Sequence, residues 1–332
     1  MNYIDDINRL LDMSGQISGS ENVEIRPIIY GGNNQIFIIN GKYIAKKYFR
    51  SSDDDRDRFL HETLFVNYAI NVAPQFVPRL LAKDPDAGWA LFERINGNTF
   101  RGKDVNQKMI AQAAEFFVKL NNNDICLEHK RFLPNASDAC FSLEEHLISV
   151  KRRIDSLKKF SSSNEKLNII LDSLQQKFDY YENDIINSVI NKNLLQKLSI
   201  DEICISPSDF GFHNALIMDD GKIVFIDFEY AGIDDPAKMI ADFFSQVSIR
   251  VDATFFNSFF NDIVSCFKNS QGILDRVNLL LPLYKIKWIA IVLNAFDPIN
   301  MARRKFANPN LNELIYQRDR LSLAESLLYN IK

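Results

Sequence analysis

Three oxygen-bearing side chains, Asp209, Asn214 and Asp227, are spaced around one short hairpin in a way that suits a hard cation. The segment reads Ser-Pro-Ser-Asp-Phe-Gly-Phe-His-Asn over 206–214. It continues through an apolar run at 215–218, the turn Asp219-Asp220-Gly221-Lys222, and a second apolar run ending Ile226-Asp227-Phe228-Glu229. With Asp220-Gly221 as a two-residue loop, the ladder sets Asn214 opposite Asp227 at the open end of the hairpin. Side chains facing each other across a ladder share one face and can reach one ion. A carboxylate and an amide oxygen there suit Mg²⁺. Asp209 precedes the first strand, in the loop that feeds it, as a third oxygen ligand or a base.

The elements that must position this hairpin lie upstream. A strand at Ile25–Tyr30 leads into Gly31-Gly32-Asn33-Asn34, then a strand Gln35–Ile39, the turn Asn40-Gly41 and a strand Lys42–Phe49. A two-residue Asn40-Gly41 loop pairs Gln35 with Lys46 and Asn34 with Lys47. A lysine then hangs beside a turn whose backbone N–H groups can cradle phosphates, although a plain β-turn explains Gly-Gly-Asn-Asn equally well. Phe59, Leu60, Leu64, Phe65 and Tyr68 recur at helical spacing, and Glu62 among them can pair with that lysine or simply face solvent. Trp89–Ile95 reads as a strand running into Asn96-Gly97-Asn98, a hinge where an adenine ring meets backbone groups around Glu93 and Ile95. An acidic residue after an Asp-x-x-x-x-Asn loop and hairpin, with a strand lysine and a helix glutamate, is the layout of kinase phosphoryl transfer.

The remainder reads as helices. Ile4, Ile7, Leu10 and Leu11 give an opening helix one apolar face; Asp104 can cap a helix carrying Ile110, Ala113, Phe117 and Leu120; Ser142-Leu143-Glu144-Glu145 is a capping box. Further patterns run through Leu167, Leu171, Leu174 and Phe178, broken beforehand by Ser161-Ser162-Ser163-Asn164. Phe243, Phe244, Phe255, Phe256, Phe259 and Phe260 supply a core. The apolar run 279–296 is interrupted by Pro282, Lys285, Lys287 and Asn294, which predicts a buried helix and no membrane span. Arg303-Arg304-Lys305 reads as a solvated basic cluster.

At 332 residues, 46% hydrophobic, the chain can bury two substantial lobes. A net charge of −4 gives no footprint for nucleic acid. Cys126, Cys140, Cys204 and Cys266 show no Cys-x-x-Cys pair, and His61, His129, His146 and His213 no metal-ligand spacing, which predicts reduced thiols and a cytoplasmic protein without a zinc site. The start, Met-Asn-Tyr-Ile-Asp-Asp, lacks an apolar signal core.

From about residue 29 to 244 the order of elements resembles the aminoglycoside phosphotransferase and choline kinase group. The resemblance is strongest at Ile226-Asp227-Phe228-Glu229-Tyr230-Ala231-Gly232 and continues into Asp235-Pro236-Ala237. It implies a bilobal α+β fold, with a small β-rich nucleotide lobe at 1–95 and a larger, mostly helical lobe at 96–332. It also implies ATP and Mg²⁺ as cofactors and a small-molecule hydroxyl as acceptor. Carried over by position, Asp209 is the base, Asn214 and Asp227 the metal ligands, and Glu62 the lysine's partner. The pattern Lys-x-aromatic selects Lys46, before Tyr48, while Ile44-Ala45-Lys46-Lys47 aligns with a form that selects Lys47; Lys46 is preferred. Gly31, Gly32, Asn33 and Asn34 become the phosphate turn.

Two departures stand out. Pro207 occupies the position of a histidine that braces the catalytic loop in relatives, and Met239 stands where they tend to carry an aspartate, with Asp242 following. His213 is placed to contact substrate or phosphate, or to make a local hydrogen bond. The acids Glu229, Asp234 and Asp235 favour a cationic acceptor, an amino alcohol or aminosugar, unless they serve the metal or cap a helix; sugars stay open. A kinase-like nucleotide-binding protein that has lost catalysis is the alternative. A phosphohydrolase with Asp227 as nucleophile fits less well, because Glu229 stands where its second aspartate is needed.

Overall fold

The computed structural model describes residues 3–15, 23–28, 32–52, 54, 56–161, 164–192 and 196–331. Gly31 of the expected phosphate turn, the end of the expected first strand at 29–30, and Ser162-Ser163 of the expected helix break lie outside the described residues.

Alternation of apolar residues in the first third builds a sheet covered on both sides. Helix α1 (Tyr3–Ser14) precedes β1 (Ile25–Ile28), β2 (Gln35–Ile39) and β3 (Tyr43–Lys47). Helix α2 (Arg58–Val72), β4 (Leu80–Asp84) and β5 (Trp89–Glu93) follow. Among the described residues these strands form one antiparallel sheet in the order β1-β2-β3-β5-β4. Pro27 sits on its edge strand, where a missing N–H is tolerated. Ile7, Leu10 and Leu11 of α1 pack on Phe37, Ile39, Ala45, Trp89 and Leu91, while Ile4, expected on the same face, is more than half exposed. The opposite face, carrying Tyr48, Ala90 and Phe92, packs on Phe59, Phe65 and Tyr68 of α2. Period-two alternation therefore turns Lys46 toward α2 and Lys47 toward α1.

The β2–β3 register differs by one residue from expectation: Lys46 faces Ile36, and Lys47 faces Gln35. Asn40 (φ 49°) and Gly41 (φ 66°) make the tight turn, closed by Lys42 N donating to Ile39 O at 2.9 Å. Lys42 is then left over, and pairing resumes at Ile39–Tyr43.

Residues 94–97 run without regular structure into β6 (Asn98–Thr99) and the helical lobe. There α3 (Gln107–Asn121), α4 (Cys126–Phe132), α5 (Leu143–Lys158) and α6 (Glu165–Lys192) precede β7 (Cys204–Ser206), β8 (Ala215–Ile217), β9 (Ile223–Phe225) and β10 (Gly232–Asp234). Then come α7 (Pro236–Ser245), α8 (Phe256–Val264), α9 (Ser270–Leu293), α10 (Pro298–Ala307) and α11 (Glu313–Tyr329). Strands β6, β8 and β9 form one small sheet and β7 with β10 another. Helix α3 starts two residues later than expected because Asn106, not Asp104, accepts from the first free N–H groups. Ser142 caps α5 as expected, its Oγ accepting from Glu145 N at 3.2 Å. The phenylalanines close the core, with Phe243 stacked on Phe259 at 4.3 Å.

Helix α9, continued to Phe296, is long and apolar enough by composition to cross a bilayer. Here it is the axis of the lobe, burying Val277, Leu280, Leu283, Ile286 and Ile289 against its neighbours. The four cysteines are free thiols. The basic run 303–305 departs in part from the expected solvated surface: Arg303 is only 7% exposed, while Lys305 is exposed. Helix α10 folds back on the sheet, where Gln35 Nε2 donates to Phe306 O and Phe49 packs edge-on against Phe306.

Candidate active site

Lys46 lies on the α2 face of β3, and one turn into α2 the chain offers Glu62. Lys46 Nζ donates to Glu62 Oε2 at 2.6 Å, with both side chains almost fully buried. Glu62 is held in place by Tyr48 Oη, which donates to the same oxygen at 2.7 Å, and by Phe228 N, which donates to Oε1 at 3.3 Å. Lys46 also donates to Asp227 Oδ1, so one ammonium joins the sheet, the helix and the turn that follows the second hairpin strand. Burial alone would lower the Lys46 pKa, but Asp227, Glu62 and Glu229 raise it well above its usual value. Lys47 points the other way. Its Nζ donates to Ala87 O and lies 5.3 Å from the centre of the Trp89 ring.

The hairpin reaches the site by a different route from the one its sequence suggests. Ala215 pairs with Phe225 and Ile217 with Ile223, so Asn214 stands opposite Ile226, whose N donates to Asn214 O at 2.9 Å. The turn is one residue longer than a two-residue loop: Met218 N donates to Lys222 O, and Gly221 adopts φ 77°. Asp227 then leaves the ladder with φ 67°, a left-handed conformation that costs a non-glycine residue roughly 1–2 kcal/mol. That turn, and not strand register, aims its carboxylate at Lys46. Ser208, just before Asp209, has φ 65° and donates its N–H to Ser206 Oγ at 3.0 Å. One strained residue thus precedes Asp209, and Asp227 is itself the other.

Asp209 is a third exposed and bonded on both oxygens. His213 Nε2 lies 3.1 Å from Oδ1, and Asn214 Nδ2 donates to Oδ2 at 3.1 Å and to Asp209 O at 3.0 Å. Burial would raise the Asp209 pKa, but His213 and Asn214 bring it below the usual carboxylate range. Burial likewise opposes the upward shift that Asp209, and then Asp227, impose on His213. Because the Asn214 amide nitrogen is committed to Asp209, its oxygen is the free end. The loop position that Pro207 leaves without an imidazole is served by His213, from four residues after Asp209 rather than two before.

Asp227 keeps 37% of its side chain exposed. Burial first, then Glu229 and Glu62, raise its pKa to about 7 against the pull of Lys46. The carboxylates gathered here outnumber the single ammonium, and a divalent cation fits that imbalance. Among the described residues no set of three His, Cys, Asp or Glu side chains could hold a metal by itself. Asp227 and the Asn214 oxygen suit an ion that takes most of its ligands from phosphate and water, as Mg²⁺ does.

The asparagines of the expected phosphate turn are tied down by the residue two after Asp227. Asn33 and Asn34 both donate to Glu229, and Asn34 Oδ1 accepts from Phe49 N at 3.1 Å. Gly32 backs directly on Arg304: a Cβ there would meet Nη1 at 2.3 Å. At the hinge, Glu93 accepts from Arg79 Nε at 2.8 Å and from Arg79 N at 3.0 Å, and Ile95 lies half-buried in the extended link.

The acids expected to attract a cationic acceptor are spent inside the fold. Asp234 is fully buried and accepts from Lys238 and from Cys140 N. Asp235 caps α7 and accepts from Arg276 Nε and Nη2, each at 3.0 Å, with His146 Nε2 at 3.3 Å. Asp242 accepts from Lys287 and from Trp288 Nε1, next to the His213 ring. Sequence reasoning missed the Tyr48 hydroxyl, which shares the alternation that selects Lys46, and this Asp242 anchor, which depends on a helix far along the chain.

A sequence profile described as the phosphotransferase enzyme family matches residues 24–263. No curated protein sequence matches the chain. Among solved structures, a choline/ethanolamine kinase family protein from Mesorhizobium loti aligns with TM-score 0.60 and 17% identity, over 98% of this chain and 94% of that one. Choline kinase from Cryptosporidium parvum Iowa II aligns with TM-score 0.59 and 15% identity, over 97% and 94%. APH(2")-IIa, in a complex with streptomycin and ATP, aligns with TM-score 0.54 and 17% identity, over 98% and 99%. At these identities the likeness is one of fold: a kinase-like α+β architecture with a β-rich N-terminal lobe and a helical C-terminal lobe.

Proposed function

We propose, for a chain that belongs to the phosphotransferase enzyme family, that it moves the γ-phosphoryl group of ATP to a hydroxyl of a small molecule with Mg²⁺ as cofactor. The observation that carries this reading is the Lys46 ammonium held between Glu62 and Asp227, with Asp209 and Asn214 on the adjoining loop. In a kinase-like site the lysine is oriented by the glutamate toward the α- and β-phosphates. Asn214 and Asp227 would hold the Mg²⁺, which supplies charge neutralisation at the phosphates. The backbone of residues 31–34 would cover them, and the link around Glu93 and Ile95 would meet the adenine, dividing a nucleotide lobe at 1–95 from a catalytic lobe at 96–332.

Asp209 is the base in this proposal. The acceptor oxygen bonds to the γ-phosphorus, its proton passes to an Asp209 oxygen, and the bond to the bridging oxygen breaks to release ADP. Such catalysis rests mainly on positioning and charge neutralisation, to which deprotonation by a positioned carboxylate adds about 10²–10⁴-fold. The lowered Asp209 pKa keeps the carboxylate ionised. Kinases named for choline, ethanolamine and aminoglycosides share the fold, which makes amino alcohols and aminosugars the first acceptors to try, with sugars next. The four free thiols fit a cytoplasmic location.

ADP release from ATP and Mg²⁺ across a panel of amino alcohols, aminoglycosides and sugars tests the reading, with Asp227→Asn as control. The expected result is acceptor-dependent turnover in the wild type and none in the variant. Turnover that survives Asp227→Asn removes the site assignment.

A further inference from the structure

A buried group of arginines beside the Glu229–Tyr230 segment has more positive charge and more hydrogen-bond donors than its neighbours absorb. Arg58 opens α2 in the N-terminal lobe, with Arg56 just before it, and Arg303 comes from α10 near the other end of the chain. All three converge on Asp54. Arg56 Nε and Nη2 donate to its two oxygens at 2.7 and 3.0 Å, and Arg58 Nη2 donates to Oδ2 at 2.6 Å. Arg303 Nη1 stops 4.0 Å from that same Oδ2. Arg58 Nε stops 3.9 Å from Glu229 Oε2, whose carboxylate is already taken by Asn33 and Asn34.

The consequence is that Nε and Nη1 of both Arg58 and Arg303 carry no hydrogen bond, although the two residues are only 1% and 7% exposed. Three guanidinium groups face Asp54 and Glu229, an excess of one positive charge among the described residues. Burial, and then Arg58 and Arg56, lower the Arg303 pKa more than Tyr230 and Glu229 raise it, whereas for Arg58 burial is outweighed by Tyr230, Asp54 and Glu229, which raise its pKa. A buried, unpaired charge is strongly destabilising, so a fold that keeps one needs a partner for it. Water can satisfy the N–H groups but leaves the charge. An oxyanion satisfies both, and a guanidinium fork matches phosphate geometry. Two forks from different elements favour a phosphate, which offers three or more oxygens where a carboxylate offers two. An open cleft of about 260 Å³ is lined by Arg58 together with Tyr48, Arg50, Asp54 and Arg56.

We propose that Arg58 and Arg303 form a second anion site, for inorganic phosphate or the phosphate of a phosphomonoester, separate from Lys46 and Asp227. Its occupant ties α10 to the start of α2, and so the C-terminal helices to the N-terminal lobe. The site stands independently of the transferase reading.

Thermal unfolding of the full chain in phosphate-free buffer tests it, with titrations of inorganic phosphate, methyl phosphate and, at matched ionic strength, chloride. Each is repeated with a saturating non-hydrolysable ATP analogue and Mg²⁺. In the wild type, phosphate at about a hundredfold excess over Kd should raise Tm by about 5 °C, with or without the analogue. Arg303→Gln should lose that response and, in phosphate-free buffer, melt no lower than the wild type, so that the two curves cross as phosphate is added. Arg303→Lys, which keeps the charge without the fork, should respond weakly, and Asp227→Asn should respond in full. Response to methyl phosphate identifies a phosphomonoester site, and response to inorganic phosphate alone a site for the free ion. An unchanged response in Arg303→Gln, a response abolished by the ATP analogue, or collapse of Arg303→Gln without phosphate each overturns the proposal.

Discussion

Lys46→Met should cost the protein both stability and activity, and a second substitution should restore only the first. Lys46 and Glu62 keep 6% and 5% of their side-chain surface and meet at 2.6 Å. Removing one member of a buried pair leaves the other uncompensated, a loss of roughly 3–5 kcal/mol. Glu62 still accepts from Tyr48 Oη and Phe228 N, so the low end, about 3 kcal/mol, applies here. For a chain of this length that corresponds to a fall in Tm of about 6 °C. Adding Glu62→Gln removes the stranded charge and should return stability to within about 1 kcal/mol of the wild type. Turnover should stay lost in both variants, because the ammonium that faces the phosphates is gone. Lys47→Met is the comparison. Its Nζ holds Ala87 O and the Trp89 ring on the α1 face, so it should lose no more than about 1 kcal/mol and keep its turnover. Thermal melts beside an ADP-release assay read all four proteins. If Lys47→Met depresses turnover as far as Lys46→Met, or the double variant stays as unstable as the single, the reasoning from strand alternation and burial fails.

Three further outcomes follow from particular contacts. Asp209→Asn should lower phosphoryl transfer by about 10²–10⁴-fold while nucleotide affinity by calorimetry stays near wild type, since its proposed role is with the acceptor proton; a matching loss of affinity would assign it to the metal instead. Gly232→Ala should destabilise by about 1–3 kcal/mol in urea unfolding, because the new Cβ would lie 2.3 Å from Pro134 O and 2.6 Å from Ala136 N, both backbone atoms; an unchanged midpoint would mean those segments part freely. Burial works to raise the Asp235 carboxyl, but His146 and Arg276 hold it down from 3.8 to about 2. A depressed carboxylate stabilises above its unfolded pKa, so roughly 2 kcal/mol should be present above pH 3.8 and vanish as the pH falls through about 2. Arg276→Met should move acid unfolding to higher pH, and an unmoved acid midpoint would sink that account.

What was legible in the sequence is what depends on local pattern. Alternation in β3 separates Lys46 from Lys47 by face, and that separation survives the one-residue error in register, because a slip changes partners without turning a residue over relative to its own neighbours. Capping at Ser142 and the burial of α9 were readable for the same reason. The turns were not. Both Asn40-Gly41 and Asp220-Gly221 were read as two-residue loops, and in each the chain spends one residue more before pairing resumes. At the second hairpin the expected meeting of Asn214 and Asp227 therefore rested on a register that does not exist; a left-handed Asp227 turns its carboxylate toward Lys46.

The acids after Asp227 show why acceptor specificity is harder to read than the transfer site. Asp234 and Asp235 lie close in sequence to the metal positions, and proximity alone makes them look like attractors for a cation; Asp242 follows them on α7. Their partners, Lys238, Arg276, His146, Lys287 and Trp288, come largely from α5 and α9, and only the packed lobe brings these against the start and end of α7. A buried carboxylate with two or more charged or N–H partners is neutralised where it stands and exerts little pull across a cleft. The same helix supplies Trp288 beside the His213 ring, and His213 in turn bonds Asp209. The orientation of the proposed base thus depends on α9 through Asp242 and Trp288. Acceptor preference has to be set by groups that stay exposed at the cleft, among which Asp209 and Asp227 keep 32% and 37% of their side chains exposed.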